Sequence, residues 1–278
     1  GLAIDRQGGS SAAFDNLYLP QLHRQGFVAP DIGSQKSTQN SPGGYVMDSQ
    51  PGLYENVLVL DFKSLYPSII RTFKIDPLGL SIGLSEQDLD KTIPGFLNAE
   101  FSRNQHILPD VVTELWQQRD EAKKHKDKPL SQAIKIIMNS FYGVLGSSGC
   151  RFFNPQLASS ITMRGHEIIQ KSRDLIEKEG YSVIYGDTDS VFVLLGENKN
   201  EKHCQVIGTE LQTILNSWWK KHLEEEFSIE SNLEIEFETH YLRFLMPTIR
   251  GAETGSKKRY AGMINKDGSN HMVFKGLE

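Results

Sequence analysis

Cysteine is almost missing from this 278-residue chain: Cys150 and Cys204 are the only two, and their spacing makes neither a disulfide framework nor a zinc-binding set. That excludes a small disulfide-stapled fold and a zinc module, and it fits a reducing cytoplasm. Long apolar runs are lacking too. No stretch approaches the ~20 residues that a helix needs to cross a bilayer, and no secretory leader is legible, so a membrane partner is not expected. An excess of positive charge is also absent. Thirty Lys and Arg against 35 Asp and Glu leave a formal net charge of −5, which is not the overall footprint of a protein that grips phosphates. The cations that exist are clustered, in Lys123-Lys124-His125-Lys126-Asp127-Lys128 and Lys257-Lys258-Arg259. With 38% hydrophobic and 23% charged residues, the chain can bury a sizeable core as one large domain or two small ones.

Patterning gives a mixed α and β order. Residues 1–40 are rich in Gly, Ser, Gln and Asn, with one helix-compatible stretch from Ala12 to Gln25 and a linker-like segment at 34–42. Val57 to Asp61 reads as a strand, followed by a turn and short helix over Ser64 to Thr72. Residues 82–106 read as irregular. Leu108–Lys124 and Ser131–Leu145 are helical, separated by a charged turn that ends at Pro129, and Leu157–Glu179 is a further helix stopped by Gly180. Tyr181–Leu195 reads as two strands meeting at an acidic turn, Glu201–Glu226 as an amphipathic helix, and the chain from Leu233 as β again.

Three acidic segments carry the chemistry: Asp61 after Val57-Leu58-Val59-Leu60, Asp187-Thr188-Asp189 after Tyr185-Gly186, and Glu234, Glu236 and Glu238 alternating with Leu233, Ile235 and Phe237. A carboxylate at the end of a buried strand is costly unless a cation or donors compensate it. Several such groups from distant strands repel one another, and hard oxygens without Cys or His favour Mg²⁺ or Mn²⁺ over zinc. If the 187–189 segment stays extended, Asp187 and Asp189 point to one side. The bland alternatives stay open on these grounds alone: an Asx-type turn at 187–189 and a solvated acidic face at 234–238. Helical spacing places Arg119 with Lys123, and Lys135 with Asn139 and Tyr142, on shared faces. Lys124, Lys126 and Lys128 read as a solvated turn, and Trp116, Trp218 and Trp219 as packing residues.

Taken together the motifs are more specific. Asp61-Phe62-Lys63-Ser64-Leu65-Tyr66-Pro67-Ser68-Ile69-Ile70 resembles motif A of the family B DNA polymerases, Lys135 to Gly143 resembles motif B, and Tyr185 to Ser190 resembles motif C. Lys257-Lys258-Arg259-Tyr260 is similar to the family's primer-contacting element, and all four stand in the family's order. Within the family, Ser41 to Asp48 and Gly255 to Tyr260 are worded most like one bacterial branch.

The resemblance implies an α+β fold: an antiparallel ferredoxin-like palm sheet backed by helices, with a projecting helical hairpin as fingers. Its expected layout is 1–42 connector remnant, 43–107 first part of the palm, 108–146 fingers and 147–278 second part of the palm, with thumb and exonuclease absent. The implied activity is template-directed DNA synthesis, by two-metal transfer of a nucleotide from dNTP to a primer 3′-hydroxyl, in a DNA repair or translesion polymerase. Asp61, Asp187 and Asp189 are the implied catalytic carboxylates. Asp61, Asp189, the Phe62 carbonyl and Glu238 are the implied ligands of two Mg²⁺ ions, with Mn²⁺ as a substitute. Ser64, Leu65, Tyr66, Arg119, Lys123, Lys135, Asn139 and Tyr142 would hold the nucleotide, Tyr66 by stacking beneath the sugar and excluding a 2′-hydroxyl. Without the motif, core packing explains Tyr66 equally well. Gly43, Gly44, Tyr45, Lys257, Lys258, Arg259 and Tyr260 would meet primer-template DNA. A sliding clamp would be engaged through segments outside this chain, in the bacterial cytoplasm at the nucleoid. Two rivals remain: a metal-dependent nuclease, which leaves motif B and Tyr66 unexplained, and a silent polymerase-like scaffold, which has no reason to retain Asp61, Asp187, Asp189 and Lys135.

Overall fold

The computed structural model describes residues 9–33, 42–248 and 255–277. The linker-like reading of 34–41 lies outside them. The chain divides into two compact units, one of residues 1–43, 64–164 and 227–232, the other of 44–63, 165–226 and 233–278.

The first unit is largely helical. Helix α1 (Gly9–Arg24) buries Phe14, Tyr18 and Leu22. The stretch read as a connector is thus packed: the Phe14 ring lies 5.5 Å from Phe141 and the Tyr18 ring 4.8 Å from Phe152. In the second unit, β1 (Gly52–Phe62) is buried throughout 56–60. The first unit resumes with α2 (Leu65–Phe73), α3 (Pro77–Gly83), a 3₁₀ turn at Leu89–Lys91, and the strand pair β2 (Thr92–Pro94) and β3 (Glu100–Ser102). Here the expectation of irregular structure over 82–106 needs correction. β2 and β3 have three residues each, too few to show a period in the sequence. The hairpin of α4 (Leu108–Lys124) and α5 (Lys128–Leu145) follows, and α5 starts three residues earlier than read because Asp127 caps it on Leu130 N–H and Pro129 fits the first turn. Arg164 is a buried cation inside an aromatic cage, 4.4 Å from the Phe73 ring centre and 4.9 Å from that of Phe96.

Helix α6 (Pro155–Lys178) contributes to both units, which divide between Arg164 and Gly165. The second unit continues with β4 (Ser182–Asp187), β5 (Ser190–Leu194), α7 (Glu201–Phe227), β6 (Ile235–Met246), β7 (Tyr260–Lys266) and β8 (Ser269–Lys275). Its sheet has the order β4-β5-β1-β6-β7-β8, with every pairing antiparallel. Because β1 is covered on both sides, its sequence is a continuous apolar run rather than an alternation. On one face Val57 and Val59 join Tyr185, Phe192, Tyr241 and Phe244 in the core. On the other, Gly208 of α7 lets the Phe237 ring come close, since a Cβ there would stand 2.7 Å from it. Asn216 exchanges two bonds with the Ile235 backbone, and Trp219 donates its indole N–H to Ser172 Oγ at 3.1 Å.

Candidate functional site

Strand alternation puts Asp61 on the same face of β1 as Val57 and Val59, at the strand's open end. Its direct neighbours across the ladder are Ser190 on β5 and Glu236 on β6. Phe62 N–H donates to the Asp189 carbonyl at 2.8 Å, so the Asp61 and Asp189 backbones lie side by side although 128 positions separate them.

The extended geometry considered for 187–189 does not hold. Asp187 pairs with Ser190, leaving Thr188 and Asp189 as a two-residue hairpin loop. Thr188 has φ 56, the left-handed region that a β-branched side chain resists. Three bonds hold it there: its N–H donates to the Tyr45 carbonyl at 2.7 Å, its hydroxyl to Asp187 Oδ1 at 3.0 Å, and Asp189 N–H to the Asp187 carbonyl at 2.6 Å. Lys258 Nζ lies 3.2 Å from Asp187 Oδ1. Its backbone N–H donates to the Tyr185 hydroxyl at 2.8 Å. Burial, together with the charge of Asp187, pushes the Tyr185 phenol up to about 12, so it remains a neutral hydroxyl.

The strict alternation expected for Glu234, Glu236 and Glu238 is also corrected. β6 begins only at Ile235, and its register against β1 shifts between Val59↔Thr239 and Leu60↔Phe237, which makes Glu238 the extra residue of a β-bulge. Burial raises the Tyr241 and Tyr260 phenols, and the charge of Glu238 adds to the rise in both. Glu236 stands opposite Asp61, a like-charge pairing that is unfavourable by itself. Lys63 offsets it, with Nζ 2.6 Å from Glu234 Oε1 and in contact with Glu236. Burial works against the charge on Lys63, and the two glutamates outweigh it, raising the ammonium pKa. The sequence reading missed Lys63. Its position two residues after Asp61, inside motif A, was the available signal.

Among the described residues, no group of three or more His, Cys, Asp or Glu is gathered tightly enough to hold a metal. The donor chemistry nevertheless fits a hard divalent ion. The strand ends bring together two carboxylate-bearing positions, Asp61 and Asp189, with oxygen as the only donor type.

The expected nucleotide contacts all lie in the first unit. Ser64 has φ 44 and ψ 63 at the entry to α2, and Leu65 is buried, so Leu65 can offer a ligand only its backbone. The Tyr66 and Tyr142 rings lie 5.0 Å apart, and Tyr142 donates to the Pro42 carbonyl at 3.4 Å. Arg119 donates to Ser64 Oγ at 3.4 Å, while its buried Nε has no hydrogen-bond partner. An unsatisfied buried donor on a cation fits an anion. Lys123 is exposed, 3.7 Å from Asp120. Lys135 and Asn139 form an exposed stripe on α5, opposite buried Ile134, Met138 and Phe141. Of the expected DNA contacts, Gly43 and Gly44 are exposed at the division between the units and Tyr45 lies against the His166 ring. Lys257 pairs with Asp48 and Arg259 is exposed. Tyr260 packs 5.2 Å from both Phe192 and Phe244.

Comparison with known proteins agrees with the motifs. The profile of DNA polymerase family B matches residues 6–278. The chain is 59% identical over its whole length to DNA polymerase II of Escherichia coli K12, covering 35% of that protein. It is 30% identical to the DNA polymerase alpha catalytic subunit of Oryza sativa subsp. japonica, over 89% of this chain and 15% of that one. To a DNA polymerase of Thermococcus sp. strain 9oN-7 it is 31% identical, over 85% of this chain and 29% of that protein. It thus spans about a third or less of these relatives. With motifs A, B and C in order and the profile matched over nearly every residue, the chain belongs to DNA polymerase family B.

Proposed function

We propose that this chain supplies the nucleotidyl-transfer centre of a DNA-directed DNA polymerase, acting in DNA repair or translesion synthesis in the bacterial cytoplasm. The second unit serves as palm and the α4–α5 hairpin as fingers. The observation that carries the reading is the bond from Phe62 N–H to the Asp189 carbonyl, which sets motif A beside motif C.

Asp61 and Asp189, with the Phe62 carbonyl and Glu238 as the further ligands the family pattern implies, would hold two Mg²⁺ or Mn²⁺ ions, and such ions would supply charge that lowers the pKa of a primer 3′-hydroxyl and neutralises a leaving pyrophosphate. The remaining work is positioning and charge compensation. Arg119, with its unsatisfied Nε, and the cations Lys123 and Lys135 grip the triphosphate, and Asn139 adds polar contact from the α5 stripe. Tyr66, braced by Tyr142, stacks beneath the sugar and leaves no space for a 2′-hydroxyl. Lys258 and Tyr260 meet the primer-terminal duplex, reading its shape more than its sequence. Asp187 orients Lys258 and the motif C turn.

The test is primer extension by the natural polypeptide that carries this sequence. Asp189→Asn removes a metal-binding charge with little change of volume, and the rate should fall on the order of a thousandfold or more. A rate within tenfold of wild type would sink the assignment. The nuclease alternative gains nothing from relatives that are named DNA polymerases.

A further inference from the structure

Asp76 opens α3, and its fully buried carboxylate is shared by three elements. Oδ2 accepts the Gly79 N–H at 2.7 Å, the N-cap bond of its own helix. Oδ1 accepts the Leu108 N–H at 2.7 Å and the Tyr18 hydroxyl at 2.9 Å. Leu108 is the first residue of α4, and the residue at the N-cap position of α4 is Ile107, whose side chain makes no cap bond. One carboxylate therefore caps two helices, the second from 32 positions away. Tyr18 of α1 completes the circuit, its hydroxyl also accepting the Leu78 N–H at 3.0 Å. Burial pushes the Asp76 carboxyl above the usual range, while the Leu108 and Gly79 N–H groups and the Tyr18 hydroxyl pull it back.

We infer that Asp76 is a positioning residue for nucleotide binding: by fixing the base of α4 to α1 and α3, it sets the direction in which α4 presents Arg119 and Lys123. The inference rests on the reading of those two cations as triphosphate contacts. At 1.5 Å rise per residue, Arg119 lies roughly 16 Å along the helix from Leu108, so a tilt of about 5° at the base shifts it by about 1.4 Å. A displacement near 1 Å in a group that aligns a reactant can cost up to about a hundredfold.

The experiment compares Asp76→Asn, Tyr18→Phe and Arg119→Ala in the natural polypeptide, with dNTP-dependent extension kinetics, melting and amide exchange over residues 108–112. Asp76→Asn turns one acceptor into a donor that faces other donors. It should raise the dNTP KM roughly tenfold with kcat within about threefold, and speed exchange at the start of α4. Tyr18→Phe should move the same readouts in the same direction, by roughly threefold in KM. If Asp76→Asn fails to fold, Tyr18→Phe decides. A lowered melting temperature with unchanged dNTP KM in the folded variants would overturn the inference, leaving Asp76 as a structural cap only, provided that Arg119→Ala does raise KM. An unchanged KM in Arg119→Ala would overturn the triphosphate reading itself, and this inference with it.

Discussion

Thr188 offers a direct test of whether the motif C turn is held under strain. Its φ of 56 costs an ordinary L residue about 1–2 kcal/mol, whereas Asn visits this region readily. Its hydroxyl bond to Asp187 Oδ1 at 3.0 Å is worth about 1 kcal/mol. Thr188→Asn relieves the strain and keeps a hydrogen-bonding side chain, so the fold should gain about 1 kcal/mol, roughly 2–4 °C in melting temperature for a chain of this size. Thr188→Val keeps the strain and loses the bond, and should melt lower by a similar amount. In Thr188→Gly, relief of strain is offset by the lost hydroxyl bond and by about 0.5–1 kcal/mol of extra freedom in the unfolded chain, which leaves it near wild type or slightly below. Thermal melts of the four proteins should therefore rank Asn above Thr, Thr at or above Gly, and Val below Thr. If the strained turn serves the chemistry, primer extension should slow even in the more stable Asn variant. An Asn variant that melts below wild type, or a Val variant that melts above it, would refute the strain argument.

Tyr66→Ala should raise ribonucleotide incorporation, and unchanged discrimination in a folded variant would leave Tyr66 as a packing residue beside Tyr142. His240 is buried, with Nε2 2.9 Å from Asn56 Oδ1, and burial lowers its pKa from 6.5. The unfolded chain takes up the proton more readily, so this contribution to stability is complete above pH 6.5 and is lost as the pH falls through the lowered native value. Urea midpoints of wild type and His240→Gln between pH 7 and pH 5 should converge on acidification, and parallel curves would exclude His240 as the cause. A Cβ at Gly262 would stand 2.2 Å from the Tyr241 ring, so Gly262→Ala should cost about 1–3 kcal/mol by overpacking the aromatic face, read as a lower urea midpoint.

The long elements were legible because each carries a period or a stop. α4, α6 and α7 are close to their expected bounds, and Val57 to Asp61 marks the most buried part of β1. β2 and β3 were not legible, since three residues cannot display an alternation. The positions of Asp61, Asp187 and Asp189 in motifs were visible, but the geometry between them was not. Whether 187–189 is extended or a hairpin depends on its pairing with Ser190 and on Tyr45, 143 positions earlier than Thr188. The bulge at Glu238 was hidden for the same reason, because a register shift belongs to two strands and the sequence of one does not carry it. The trans cap from Asp76 to Leu108 had a faint signal in the apolar Ile107 that precedes α4.

The interleaving of the two units has a consequence for synthesis on the ribosome. β1 ends at Phe62, but its neighbours β5 and β6 begin only at Ser190 and Ile235. At ~5–20 residues per second, the Val57-Leu58-Val59-Leu60 run is translated on the order of ten seconds before either neighbour exists. The helical unit, whose segments 64–164 come out in that interval, can begin to collapse while this strand waits with both edges open. The Val57 to Leu60 run therefore stays without strand neighbours on the nascent chain until β5 and β6 have been made. Codon choices that slow translation between positions 62 and 190 should lower the folded yield more than equal delays placed after position 246.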